Sequence, residues 1–311
     1  MRQRVRNEAC AYGGDFIMKL SRRSFLHTGL CGAGALWLAS SRLSQAAVQF
    51  KMSACDWSLG VSCDPSGLDL ALSLGLDGLE ISAADGAADQ LKIADPSYRQ
   101  QYKEAMERTG LSVSSVAMGL LNEYPFATDD RAGAWLEQTI DGTADLGAKV
   151  ILLAFFSKGD LLQSKGWLSK GGDLKAREVD AVVERVKAAV PRAEKAGVIL
   201  GLENTLSAAQ NLAILDRIQS DAVKVYYDVG NSTYSGYDIA REIRELDDRI
   251  CQIHFKDGGF VLGEGKVDMK AVADAMTAID YQGWIVLETA VQKKDRDASF
   301  RQNAAFVRGM F

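Results

Sequence analysis

Histidine is the scarcest residue of this 311-residue sequence, present only as His27 and His254. A metal cluster built on several histidines is therefore excluded. Proline is nearly as rare, at four, and no long polar tract divides the chain, which argues against a string of small domains. Five cysteines do not make a disulfide framework. An apolar run of the ~20 residues that a membrane helix needs is missing. So is a G-x-G-x-x-G fingerprint, since the first strand-like run is followed by Asp56-Trp57-Ser58-Leu59-Gly60. The rest is ordinary for a globular protein: 47% apolar and 25% charged residues, with net charge −5.

The N-terminal residues read as an address. Ser21-Arg22-Arg23-Ser24-Phe25-Leu26 precedes an apolar, glycine-rich stretch from Thr28 to Ala39, then Arg42 and the small-residue site Ser44-Gln45-Ala46. That order is the layout of a twin-arginine export signal. Residues 1–46 are thus expected to be an N-terminal extension and signal peptide, and the protein to be periplasmic or otherwise exported. Met18-Lys19-Leu20 reads as a more natural start than Met1. Leu30 argues against lipidation of Cys31, because a lipoprotein site wants a small residue there. Without the seven bases and two acids of this segment, 29 basic residues face 39 acidic ones, a net charge near −10. Such a protein is a poor partner for nucleic acid, whose affinity depends on neutralising phosphates. Cys55, Cys63 and Cys251 remain. An oxidising compartment would permit a Cys55–Cys63 bridge, and buried thiols are the equal alternative.

The remaining 47–311 is close to the ~250 residues of one (β/α)8 barrel. Strand-like apolar runs fall at 50–55, 78–81, 111–118, 150–155, 198–202, 223–227, 250–253 and 284–287. Segments of helical spacing lie between them, at 97–109, 132–146, 178–196, 207–218, 237–246 and 269–279. This alternation predicts parallel strands joined by helical crossovers, and the number of strands favours a single TIM barrel over a doubly wound sheet. The Gly/Ser/Lys-rich segment 157–173 is expected to be an enlarged loop after the fourth strand.

Four of these runs stop at a metal-ligand residue: Glu203 after the fifth, Asp228 after the sixth, His254 after the seventh and Glu288 after the eighth. In a barrel these ends meet on one rim, where active sites sit. Singly, each has a plain structural account: a carboxylate binding backbone amides, a turn former, a core histidine, a salt bridge to a helix. Their recurrence in four successive units points instead to a shared site. Three carboxylates and one imidazole suit one divalent ion, Mn²⁺ or Mg²⁺ first, with Co²⁺ or Zn²⁺ allowed. The ligand charge disfavours an anionic substrate, and neutral hydroxyl and carbonyl oxygens, as in sugars, fit better.

Leu202–Thr205 (LENT), Tyr226–Asn231 (YYDVGN), Ile253–Asp257 (IHFKD) and Val286–Thr289 (VLET) resemble motifs of the xylose-isomerase-like barrel superfamily. Within it they are most similar to the sugar phosphate isomerase/epimerase group. The resemblance implies that Glu203, Asp228, His254 and Glu288 bind one divalent metal, and that Glu203 and Glu288 also move protons on opposite faces of the substrate. Many relatives carry a histidine where Asn231 stands. The three-zinc nucleases of the superfamily need more histidines than this chain has. The implied chemistry is epimerisation or isomerisation of a ketose or keto-sugar through an enediolate. Two alternatives stay open. One is a dehydratase or lyase acting on a keto-sugar, keto-glycoside or inosose, and the other is a non-catalytic sugar-binding barrel.

Supporting residues carry double readings. Glu80 is a contact for a substrate hydroxyl or half of a salt bridge. Lys256 and Asp257 are substrate contacts or an internal ion pair. Gly263-Glu264-Gly265 admits a ligand closely or forms a simple turn. Trp57, Phe155 and Phe156 wall a sugar site or pack the rim.

Overall fold

The computed structural model describes residues 50–163 and 172–311. The predicted export signal over 1–46 lies outside these residues, as does the middle of the loop predicted after the fourth strand.

Eight short strands are present: β1 (Met52–Cys55), β2 (Gly78–Ser82), β3 (Ser112–Met118), β4 (Val150–Ala154), β5 (Ile199–Glu203), β6 (Val223–Asp228), β7 (Ile250–Phe255) and β8 (Ile285–Leu287). Each pairs in parallel with the next, and β8 returns to β1, so the sheet closes in sequence order. This is the single (β/α)8 barrel that the alternation predicts. The strands read as nearly continuous apolar runs because helices cover the outer face while side chains fill the inside. The interior cluster includes Cys55, Ala117, Leu152, Ala154, Tyr226 and Val286, and a larger shell joins strands to helices.

The helices are α1 (Gly67–Ser73), α2 (Pro96–Thr109), α3 (Ala132–Asp145), α4 (Ala176–Ala196), α5 (Ala208–Ile218), α6 (Val229–Tyr234), α7 (Ile239–Leu246), α8 (Met269–Ala278) and α9 (Arg296–Arg308). Helix α4 shows the pattern that buries them: Val179, Val182, Val183, Val186, Ala189 and Ala193 form one buried stripe at helical spacing. Side chains set the starts. Ser207 and Gln210 form a reciprocal capping box on α5, and Asp95 caps α2 ahead of Pro96. Helices α1, α6 and α9 carry too few periodic apolar positions to stand out in the sequence. None of the described helices is long and apolar enough to cross a membrane. Cys55, Cys63 and Cys251 are all free thiols, so the bridge reading gives way to the buried-thiol reading.

Candidate metal centre and active site

Strand registry brings the four predicted ligands together. Asp228 lies directly opposite His254 across the β6–β7 pair, Glu203 closes β5, and Glu288 follows β8. One donor atom from each of Glu203, Asp228, His254 and Glu288 falls within 4.8 Å of the others. His254 Nδ1 faces the group, 2.8 Å from Glu203 Oε1, 3.6 Å from Glu288 Oε2 and 4.0 Å from Asp228 Oδ2. All but Glu288 are buried.

Local structure fixes each side chain. Asp228 is the N-cap of α6, its Oδ1 accepting the Asn231 N–H at 2.8 Å, so Oδ2 alone turns to the site. Buried Oδ2 accepts no hydrogen bond among the described residues. Its charged neighbour is the Lys256 ammonium at 2.8 Å, which also lies 2.7 Å from Glu288 Oε2. Glu288 Oε1 accepts the Trp57 indole N–H at 3.2 Å. Gly230 makes room for this arrangement, since a Cβ there would run into the Lys256 side chain.

The charges perturb one another. Burial pushes Glu203 up to about 7 against the pull of His254. Burial likewise raises Asp228, opposed by Lys256. Burial also works against ionised Glu288, but His254 and Lys256 outweigh it and hold its pKa below the usual carboxylate range. Burial opposes charge on His254 and Lys256 too, and the facing acidic groups more than compensate, raising both. Three carboxylates, two of them buried, and the His254 imidazole make an oxygen-rich donor set that fits a hard divalent ion.

Above this centre opens a cavity of about 650 Å³. Glu203, Glu288, Lys256 and Asn231 lie at its floor, and Trp57, Ser82, Leu120, Asn122, Tyr124 and Phe156 are among its walls. Trp57 and Phe156 therefore take the places predicted for them. Phe155 does not: it is buried and meets Phe126 edge-on, ring centroids 6.3 Å apart.

Two further predicted contacts are corrected. Glu80 is fully buried below the cavity and touches His254 Nε2 instead of lining the pocket. Asp257 is also fully buried and takes the backbone N–H groups of Gly263, Gly265, Lys266 and Val267, so it shapes the loop after β7. The close approach at Gly265 is made by the Asp257 carboxylate, which a Cβ would strike, and not by a ligand. Asn231, read from the sequence only as a departure from a histidine, lines the cavity with its Nδ2 buried and unpartnered among the described residues. Tyr226 and Gln252 were missed as well. Each lies two residues before a ligand and hence on the same strand face, which is the signal that would have found them.

Comparison with known proteins agrees with this fold. The model of the xylose isomerase-like TIM barrel family matches residues 68–310. The L-ribulose 3-epimerase of Mesorhizobium japonicum is 29% identical over 187 residues, which is 55% of this chain and 60% of that protein. The L-ribulose-5-phosphate 3-epimerase of Salmonella typhi is 27% identical over 241 residues, 71% of this chain and 80% of that one. The crystal structure of the 3-keto-D-glucoside 4-epimerase of E. coli shares the fold, with a TM-score of 0.68 at 16% identity. The match covers 84% of this chain and 100% of that one.

Proposed function

Because the chain belongs to the xylose isomerase-like TIM barrel family, we propose that it is a divalent-metal-dependent sugar epimerase or isomerase acting on a neutral ketose or keto-sugar. The observation that carries this reading is the convergence of Glu203, Asp228, His254 and Glu288, the two glutamates lining the floor of a sugar-sized cavity. A divalent ion held by these four, with Mn²⁺ the first candidate, supplies Lewis-acid polarisation of a carbonyl and its neighbouring hydroxyl.

The protein's own groups do the proton work. Glu288 is the better base, because His254 and Lys256 keep it ionised, while Glu203, raised by burial, holds a proton near neutral pH. To hold a divalent ion, Glu203 would give up that proton. Two carboxylates set apart in this way suit removal of a proton beside the carbonyl by one and its return by the other on the opposite face. The resulting enediolate accounts for epimerisation. Return to the neighbouring carbon accounts for isomerisation. Trp57 orients Glu288 through its indole N–H, and Asn231 Nδ2 is placed to donate to a substrate hydroxyl.

The lining argues for an uncharged substrate. Among the described residues its one cation, Lys256, is already paired with Asp228 and Glu288, while Asp85 and Glu123 add negative charge towards the mouth. Lys92 and Lys158 near that edge pair with Asp85 and Glu123. Among the described residues a phosphate would meet no free positive charge in the lining. Export through the twin-arginine signal belongs to the same proposal, and replacing Arg22 and Arg23 by lysine should leave the protein in the cytoplasm on cell fractionation.

The test is metal analysis of the purified protein, followed by deuterium uptake from D₂O over ketoses, keto-glycosides and inososes. Bound divalent metal with exchange of the proton beside the carbonyl supports the reading. Loss of water or an aglycone would make the enzyme a lyase, and sugar binding without exchange would make it a binding protein. Absence of both metal and exchange overturns it.

A further inference from the structure

The Glu80 carboxylate takes no part in the chemistry above, yet it lies against the metal-facing histidine from behind. It occupies the middle of β2, fully buried, with Oε1 2.9 Å from His254 Nε2 and 3.6 Å from Cys55 Sγ. Its Oε2 receives the Ser115 hydroxyl and, at 2.5 Å, the Tyr226 phenol. Gln252 Nε2 backs both hydroxyls, 2.7 Å from Ser115 Oγ and 2.9 Å from Tyr226 OH.

Protons run one way along this chain. The close approach of both hydroxyls to Glu80 places their protons on that side, so they accept from the Gln252 amide. Both hydroxyls thus fill Oε2, and Oε1 is left as the acceptor that faces His254 Nε2 and the Cys55 thiol. His254 Nε2 is thus the nitrogen that donates to Glu80, and Nδ1, once its own proton is displaced, is the one that can turn a lone pair to an ion held among Glu203, Asp228 and Glu288. We propose that Glu80 is a positioning residue, which holds His254 in the Nε2–H tautomer and in the ring orientation that presents Nδ1 to a divalent ion. This rests on the metal-dependent reading above.

Cys55, Glu80 and His254 also gather three potential donor atoms. A metal there would have to displace the Nε2 proton and break the His254–Glu80 hydrogen bond. The Cys55 thiol would have to ionise in a setting where burial pushes its pKa well above the ordinary value.

Glu80→Gln is the test, since its amide cannot serve His254, Ser115 and Tyr226 together as an acceptor. Calorimetric titration of the metal-free full chain with Mn²⁺ and Zn²⁺ should show binding about 10–100-fold weaker than wild type. Tyr226→Phe, which keeps the carboxylate but removes one donor, should weaken binding less. In the zinc-loaded wild type, long-range ¹H–¹⁵N spectra should show a protected His254 Nε2–H, and Glu80→Gln should lose it. Only His27 could be confused with it. A purely structural Glu80 would lower the melting temperature without moving this signal.

A folded Glu80→Gln with wild-type affinity and an unchanged Nε2–H overturns the proposal. So does a wild type that binds two ions per chain, one of them lost in Glu80→Gln. Should the wild type bind no divalent ion, the metal reading falls, while the Nε2–H signal of the metal-free protein still decides whether Glu80 holds the ring. Should Glu80→Gln not fold, Tyr226→Phe and Ser115→Ala carry the same measurements, and unchanged affinity in both overturns the proposal.

Discussion

The two halves of the barrel end on the same rim and are built for different work. Strands β5–β8 finish in Glu203, Asp228, His254 and Glu288, with Lys256 between the last two acids. Strands β1–β4 finish among Trp57, Ser82, Met118, Ala154 and Phe156, most of which wall the cavity. The first half does hold acids near its strand ends, but they are turned inward. Asp56 accepts the Ser82 N–H and hydroxyl and the Cys63 N–H, and so ties the first two loops together. Glu80 supports the histidine from below. Chemistry is thus concentrated where the counter-charges are. Lys256 and His254 both belong to the second half and hold Glu288 below the usual carboxylate range, whereas burial pushes the other buried carboxylates toward their neutral form. Asp56 illustrates this, for burial pushes it up to about 6 in spite of three hydrogen bonds.

The difference between the halves can be broken most sharply at the two glutamates. Glu203→Gln and Glu288→Gln should each lower kcat by about 10²–10⁴-fold, with a smaller effect on metal affinity. Steady-state kinetics beside calorimetric titration checks this, and wild-type turnover in both would leave the second half without its assigned chemistry. Metal binding should also depend on pH. Glu203, pushed up to about 7, must lose its proton before it can ligate. Apparent affinity should therefore rise with pH through 7, by about tenfold per unit below it for the Glu203 proton and more steeply where His254, raised too, must also lose one. Titrations from pH 5.5 to 8 decide this, and an affinity independent of pH would remove Glu203 from the ligand set.

Asp257 separates support from chemistry within the second half. Asp257→Ala strands the backbone donors of the loop after β7. The expected loss is about 1–3 kcal/mol of stability, read by denaturant unfolding, with metal affinity nearly kept. The smallest effect is expected in the first half. Trp57→Phe keeps an apolar wall but removes one hydrogen bond to Glu288. It should reduce kcat/KM by a factor of about 2–10, from the ordinary net worth of such a bond. A loss as large as that in Glu288→Gln would mean that the wall takes part in the reaction.

Much of this was legible without coordinates. The eight strands appear as apolar runs because each is covered on both faces, and their ends lie within a few residues of the predicted ones. Glu203, Asp228 and His254 belong to their strands instead of following them. The four ligands were legible because a polar residue that stops an apolar run is conspicuous, and it did so once per βα unit. Of the two readings of Glu80 the ion pair is the one found, with His254, and the sequence could not choose it for a related physical reason. In Gly78–Ser82 the apolar neighbours face both ways, so nothing in the run tells an inward carboxylate that reaches the cavity from one that stops below it. Asp257 follows a ligand closely enough to pass for a partner of Lys256, and only the return of the loop over its carboxylate shows otherwise.

What the sequence determined by itself is local: where the chain is apolar, where each run stops, and which side-chain chemistry stands at the stop. Those facts suffice for a closed barrel and for one oxygen-rich ligand set. Glu80, Asp56, Asp257 and Glu203 are nonetheless alike on that level, acids in or just beyond a strand. Only the tertiary structure decided among them. The role of a carboxylate depends on which donors surround it, and closure of the barrel supplies those donors from far along the chain. Glu80 and His254 are 174 residues apart in sequence and 2.9 Å apart in space. The single histidine among the described residues thus faces one acid from each half of the barrel, Glu203 on Nδ1 and Glu80 on Nε2.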